Sequence, residues 1–416
     1  MRLFLRLVIG IVLLGGCDAV LPGAPNPDTV LDGTIDDLSG EQQAIHLAGD
    51  AEFSRTFGVA DGLGPIFVAQ ACASCHVGDG KGHPVFNLTR FGRMTAAGFD
   101  PMRSDGGPQV QNRAIPNYIA ERVVAGATGV AVFTAPSVTG LGFLEAVDDT
   151  SLLALADPDD RDGDGISGRV QLLAPNDLLV ELARLELLFD PGEPRRHLLI
   201  NGRYIGRFGK KASAINLLHQ SVNAYHEDMG LTTDLLPNDP VNPQVGNFAD
   251  DGVPDPEVSS STVARVVFYL KTLKAPPRRN ATAPDVTAGS ALFTGIGCAR
   301  CHVATMTTGP SRLRALDRVG FHPYTDLLLH DMGPELDDRY TEGSAATAEW
   351  RTPPLWGLGL AEQSQGGRAF YLHDGRATTL EQAIEFHGGE AAASRAAFRR
   401  LPASDVQRLL AFLRSL

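Results

Sequence analysis

The chain has 416 residues, 43% of them hydrophobic, which is enough for two or three domains with ample core. Its 49 acidic against 36 basic residues give a formal charge of -13. That charge argues against a nucleic-acid partner and is compatible with a basic protein partner, or simply with solubility.

Taken in chain order, the first element is Met1-Arg2 to Leu14, a basic start followed by an apolar run shorter than the roughly 20 residues of a membrane helix. It closes as Leu14-Gly15-Gly16-Cys17, which resembles a bacterial lipoprotein signal ending in an acylated cysteine. An ordinary secretory signal cut at the same small residues is the alternative. Either way export is expected, with 1–17 as signal and 18–45 as a flexible tether rich in Pro, Gly and Asp. Loss of Arg2 and Arg6 takes the charge to about -15. No later run is long or apolar enough to span a bilayer, so a periplasm-facing, lipid-anchored body is expected.

Next come two copies of one motif, Cys72-Ala73-Ser74-Cys75-His76 and Cys298-Ala299-Arg300-Cys301-His302. The C-x-x-C-H spacing is that of covalent c-type haem attachment. Two thiols three apart reach the vinyl groups on one porphyrin edge, and the next histidine lies under the iron. An all-thiolate zinc site would not need a histidine after each pair. A thioredoxin-like pair in duplicate, in an oxidising compartment and without a βαβ pattern, is a poor account of both copies. Cys72, Cys75, Cys298 and Cys301 are therefore expected to hold two haems, with His76 and His302 as proximal ligands.

The surroundings repeat as well. Ala135-Pro136-Ser137-Val138-Thr139-Gly140-Leu141-Gly142 aligns without a gap with Thr352-Pro353-Pro354-Leu355-Trp356-Gly357-Leu358-Gly359. Each half then closes on an amphipathic stretch, 266–273 and 409–416. The expected fold is mainly α, two tandem cytochrome c-like domains. The first, 46–275, is enlarged by an insertion; 276–284 is a linker; the second is 285–416. Inside the insertion, Asp160, Asp162, Asp164 and Gly165 match the first half of an EF-hand loop, with Gln171 where the bidentate Glu belongs. Calcium and a hydrated acidic turn both remain open.

The wording of these motifs resembles the bacterial di-haem oxidoreductase family, also labelled thiol oxidoreductases, relatives of the di-haem cytochrome c peroxidases. The matching pieces include Asp61-Gly62-Leu63-Gly64-Pro65, Asp162-Gly163-Asp164-Gly165-Ile166-Ser167-Gly168-Arg169, Gly206-Arg207-Phe208-Gly209, Asp326-Leu327-Leu328-Leu329-His330-Asp331-Met332-Gly333 and Leu372-His373-Asp374-Gly375-Arg376. The resemblance implies a mostly helical fold, two c-type haems and redox chemistry. Lys210 departs from it, standing where an aromatic is expected.

A di-haem peroxidase needs one closed iron that accepts electrons and one that is open to peroxide. His387, after an amphipathic stretch, is at the position that resembles the axial Met of such peroxidases, and is expected as the sixth ligand of the C-terminal haem. Met332 and His330 are its competitors. For the N-terminal haem, Met229 stands either as a ligand, after a helical stretch expected over 212–225, or as a core methionine. An open iron leaves Glu145 as a distal acid-base group, although its counterpart Glu362 suggests a structural role equally well. Trp350 and Trp356 bridge the haems or pack the core. The expected function is reduction of hydrogen peroxide or a related small oxidant at the N-terminal haem, with electrons entering through the C-terminal one from a small cytochrome c or cupredoxin. A non-catalytic electron-transfer cytochrome and a di-haem oxygenase or protein-modifying oxidoreductase are the alternatives.

Overall fold

Each half of the chain is framed by two helices that cross at a glycine. Gly40–Phe53 packs across Ser260–Thr272, and a Cβ on Gly49 would run into the Arg265 carbonyl. Pro284–Gly295 packs across Ala403–Ser415, and there Gly289 meets the Arg408 carbonyl in the same way. Backbones approach this closely only where no side chain intervenes. Local signals start these helices. The Ser39 hydroxyl accepts from Gln42 N while the Gln42 side chain accepts from Ser39 N, and Ser259 caps helix Ser260–Thr272 through Thr262 N. Val263, Val266, Val267 and Leu270 give that helix its buried stripe, and Leu409, Leu410, Phe412 and Leu413 do so for Ala403–Ser415.

The computed structural model describes residues 30–189, 197–246 and 250–416, with no account of the side chains of 186–189. The signal segment, Cys17 and the first part of the tether lie outside the described residues. Among the described residues no helix is long and apolar enough to cross a membrane.

The repeat seen in the sequence is also a repeat of contacts. Gly140 N donates to the Leu273 carbonyl (3.1 Å) and Gly357 N to the Leu416 carbonyl (2.7 Å), each glycine with a left-handed φ, 69° and 72°. Two residues on, Gly142 and Gly359 lie against the carbonyls of Lys271 and Arg414. In both halves the Gly-Leu-Gly segment is thus seated on the end of the closing helix. The larger apolar core, with Phe53, Phe57, Leu144, Val266 and Tyr269, belongs to the first half; Phe293, Tyr324, Leu409 and Phe412 centre the second.

Three expectations change. Residues 30–45 are not a free tether: Ile35 is buried, its N donates to Thr272 O (2.8 Å), and the first helix already begins at Gly40. The helical stretch over 212–225 shrinks to Leu217–Asn223 followed by a π-helical turn, Ala224–Asp228, because Phe208 and Ala214 pair across a tight turn instead. The fold is 36% helix but also 14% strand. The strands are short and antiparallel: Gly98–Asp100, Leu88–Thr95 and Gly129–Phe133 in one sheet, Gln171–Leu173, Arg203–Gly206 and Leu199–Ile200 in another. Leu329–Asp331 pairs with Glu349–Arg351, which sets His330 opposite Trp350.

The insertion is tied down by Arg207. It is fully buried, donates to the carbonyls of Leu144, Glu145 and Val147 (3.2, 3.1 and 2.7 Å), and pairs with Asp149. The glycine crossings yield a direct test. Gly289→Val is expected to force the second helix pair apart and cost about 1–3 kcal/mol, read as a lower denaturant midpoint with retained far-UV circular dichroism.

Candidate haem sites and the strip between them

A five-residue motif cannot orient its own histidine, so each imidazole is held from elsewhere. His76 Nδ1 donates to the Pro136 carbonyl (2.8 Å), supplied by the Pro-to-Gly-Leu-Gly segment. His302 Nδ1 donates to the Tyr324 carbonyl (3.0 Å). Burial lowers both pKa values to about 4, against the opposing pull of those carbonyls. Each ring is therefore neutral, its proton fixed on Nδ1 and its Nε2 lone pair free for a metal. Phe53 and Phe293 sit beside the two rings at matching centroid distances, 6.0 and 6.2 Å. The thiols are half-buried and unbonded to one another; burial raises Cys72, Cys75 and Cys298 to about 12 and also raises Cys301.

The second motif faces a further imidazole. The His387 ring centroid lies 6.5 Å from that of His302, the planes inclined at 44°. Its Nδ1 too is committed, to the Ala383 carbonyl (2.7 Å), at the end of helix Leu380–Glu385. Two metal–nitrogen bonds of about 2 Å plus the reach from nitrogen to ring centre account for such a gap. The donor set therefore fits a bis-imidazole iron. Its competitor His330 is engaged elsewhere: Nε2 meets Asp326 (2.8 Å) and Nδ1 meets Glu390 (2.7 Å).

No such partner faces His76 among the described ring contacts. Met229 is 2% exposed, with its side chain in the first core beside Tyr225 and Leu231. Its segment does reach the motif's approach: the Asp228 carbonyl accepts from Val68 N and Ala69 N (2.7 and 3.0 Å). Glu145 is buried, its Oε2 paired with Lys271 (2.9 Å) and its Oε1 accepting from Leu217 N (2.6 Å), so both oxygens bind structural partners.

Between the motifs runs a strip of cations, Lys81 and Lys210 half-buried and Lys211 and Arg351 buried. Lys210 has its ammonium close enough to lower His76, and is itself held well below its usual range by burial and then by Lys81 and Arg351. Burial lowers Lys81 to about 7, Lys211 to about 8 and Arg351 to about 10. Lys211 donates to the Ala346, Thr347 and Glu349 carbonyls and stands 3.9 Å over the Trp350 ring, whose other neighbour is the stacked His373 at 3.7 Å. Trp356 instead packs in the first core, against Phe321. Lys211 and Arg351 were missed because nothing in a local pattern announces that a lysine or arginine will be buried by segments a hundred residues away.

Asp160, Asp162 and Asp164 do converge, with ligand atoms within 4.8 Å of one another. Gln171, at the twelfth loop position, turns elsewhere: its Nε2 donates to the Lys211 and Glu342 carbonyls. A second acidic group, Asp239, Asp250, Asp251, Asp255 and Glu257, escaped the sequence reading because its spacing follows no loop pattern. Asp239 Oδ1, Asp251 Oδ2 and Glu257 Oε1 there are buried and accept no hydrogen bond.

Duplicated C-x-x-C-H motifs with carbonyl-anchored histidines, framed by matching helix pairs, define a di-haem redox protein. The chain belongs to the family described as "di-haem oxidoreductase, putative peroxidase", whose model matches residues 117–416 and so begins after the first motif. No curated protein matches it. Among solved structures it is similar to the diheme peroxidase BthA from Burkholderia thailandensis E264, at 16% identity over 90% of this chain and 86% of that one, TM-score 0.40. Kuenenia stuttgartiensis hydrazine synthase gives 14% identity over 99% and 100%, TM-score 0.39. A MauG-like protein associated with microbial copper homeostasis gives 16% over 60% and 92%, TM-score 0.29. The family assignment rests on the family match alone.

The placement of Glu145 has a measurable consequence. Glu145→Ala breaks the buried ion pair with Lys271 and removes the acceptor of Leu217 N, and a loss of about 3–5 kcal/mol in unfolding free energy is expected. A variant with unchanged stability and a selective loss of turnover would instead make Glu145 a proton-transfer group.

Proposed function

We propose that the chain is an exported oxidoreductase whose two cytochrome c-like units hold covalent haems at Cys72, Cys75 and His76 and at Cys298, Cys301 and His302. In this reading His387 closes the C-terminal iron, while the N-terminal iron is open and reduces hydrogen peroxide or a related small oxidant. The observation that carries it is the asymmetry of the imidazoles: a second ring at 6.5 Å from His302, and no counterpart at His76 among the described residues.

The cations between the motifs support the same reading. Lys81, Lys210 and Arg351 crowd one another with Asp374 as the one acidic group acting on Lys210, an arrangement suited to an anionic guest such as haem propionates. Arg278, over the Phe412 ring at 5.3 Å, has a buried Nε with no hydrogen-bond partner and offers the second unit a similar anchor. When bound, the haems supply two electrons to the peroxide bond, and two protons complete two waters. The protein's part is to fix both proximal tautomers through Pro136 and Tyr324, to occupy the C-terminal sixth position with His387, and to hold cationic donors near the N-terminal site. Met229 and Glu145 serve as core and anchor in this account. A small basic cytochrome c or cupredoxin is the donor that suits the acidic body, the signal at Cys17 would fix it to a membrane facing the periplasm, and Asp160, Asp162 and Asp164 would take calcium.

Pyridine haemochrome should give two covalent haems per chain, falling to one in the Cys72→Ser/Cys75→Ser variant. Electron paramagnetic resonance of the half-reduced protein should show a high-spin iron together with peroxide turnover, and His387→Ala should add a second high-spin signal. Two irons that stay low-spin after one-electron reduction, without turnover, would leave an electron-transfer cytochrome instead.

A further inference from the structure

We infer that His330 is a positioning residue that sets the reduction potential of the C-terminal haem, as a buried imidazolium clamped between Asp326 and Glu390 against Cys301. The inference rests on the proposed haem attachment at Cys298 and Cys301.

The clamp is closed on every side. His330 is 3% exposed, and its Nδ1 stands 3.6 Å from Cys301 Sγ, the sulfur that would carry the thioether. Each ring nitrogen faces a carboxylate, Nε2 with Asp326 Oδ2 (2.8 Å) and Nδ1 with Glu390 Oε2 (2.7 Å). A carboxylate that is ionised only accepts, so both nitrogens must donate and the ring carries a proton on each. Both carboxylates also accept hydrogen bonds from the main chain. Asp326 Oδ1 accepts from Leu328 N (2.9 Å); Glu390 accepts from Ser167 N, Ser167 Oγ and Asp331 N (3.1, 2.9 and 3.1 Å). Burial alone would depress His330, but its bonds to Asp326, Cys301 and Glu390 raise it to about 12. The clamp's charge therefore stays constant over the ordinary working range.

Its field reaches the iron ligand. Asp326 and His330 both act on His302, in opposite directions. The other charged groups around the clamp are Arg351, which is within reach of Asp326, the exposed Asp331, and the Arg300–Asp164 pair at 3.3 Å. Close packing depends on Gly168, because a Cβ there would come within 2.5 Å of the His330 ring. Three separate stretches thus converge on one haem edge: Ser167-Gly168 from the insertion, Asp326 to His330, and Glu390 from the turn after His387. None of them is an iron ligand, so their common product is a fixed charge arrangement, one cation between two anions.

A charge-setting role makes the variants move in opposite directions. At about pH 8, above the ordinary carboxylate range, His330→Gln leaves two anions beside the haem and should lower the C-terminal midpoint potential. Asp326→Asn leaves one cation and one anion and should raise it. Each shift is expected to be about tenfold in the reduction equilibrium, about 59 mV for one electron, read by spectroelectrochemistry on the full di-haem protein. Glu390→Gln, at the more exposed rim of the clamp, should also raise the potential and serves where either buried variant fails to hold haem. A merely structural role would loosen the site and admit water, moving all three the same way; that outcome, or no shift, overturns the inference. A wild type lacking the second covalent haem is a separate failure, of the haem reading itself.

Discussion

Everything else in this protein depends on three imidazoles whose Nδ1 protons are committed to backbone carbonyls. His76 and His302 end copies of one motif and His387 does not, yet each presents the other nitrogen in a chosen direction because a main-chain oxygen holds the ring. The carbonyls are placed by the frame. Pro136 lies in the segment that is seated on the first closing helix through Gly140, and Tyr324 packs against Phe412 of the last helix. Glycines at the two helix crossings let those frames close up, so a contact made without side chains ends by fixing the orientation of an imidazole.

Against that symmetry the differences carry the functional argument. Both halves have a crossing glycine, a seated Gly-Leu-Gly segment and a phenylalanine beside the proximal ring. The second half adds His387 across from its motif, and the first adds the half-buried Lys210 near His76. One duplicated scaffold thus provides two differently furnished sites, one with a second imidazole and one with a nearby cation.

Legibility followed range in the chain. The haem motifs, the Pro-to-Gly-Leu-Gly repeat and the closing helices were readable because each depends on residues a few positions apart. The three aspartates at 160, 162 and 164 were also visible, and they converge. The partners of Glu145 were not, since Lys271 lies more than a hundred residues away and no periodicity links them. His330 illustrates the limit most clearly. Its neighbourhood was apolar enough to suggest a ligand, but Asp326, four residues before it, and Glu390, sixty residues on, claim both nitrogens. Strand content was underestimated because strands such as Leu329–Asp331 are three residues long, too short for alternation to register.

Charge is sorted within the molecule in a way that its total conceals. The chain carries -13 overall, yet the half-buried Lys81 and Lys210 and the buried Lys211 and Arg351 gather between the two motifs. Buried ammonium groups are costly unless paired or hydrogen-bonded. Lys211 meets that condition with three carbonyls and the face of Trp350. Lys210, held far below its usual range, does so least well. Lys210 also stands where the family resemblance leads to an aromatic residue. The net negative charge of the chain thus coexists with a local concentration of positive charge between the two motifs.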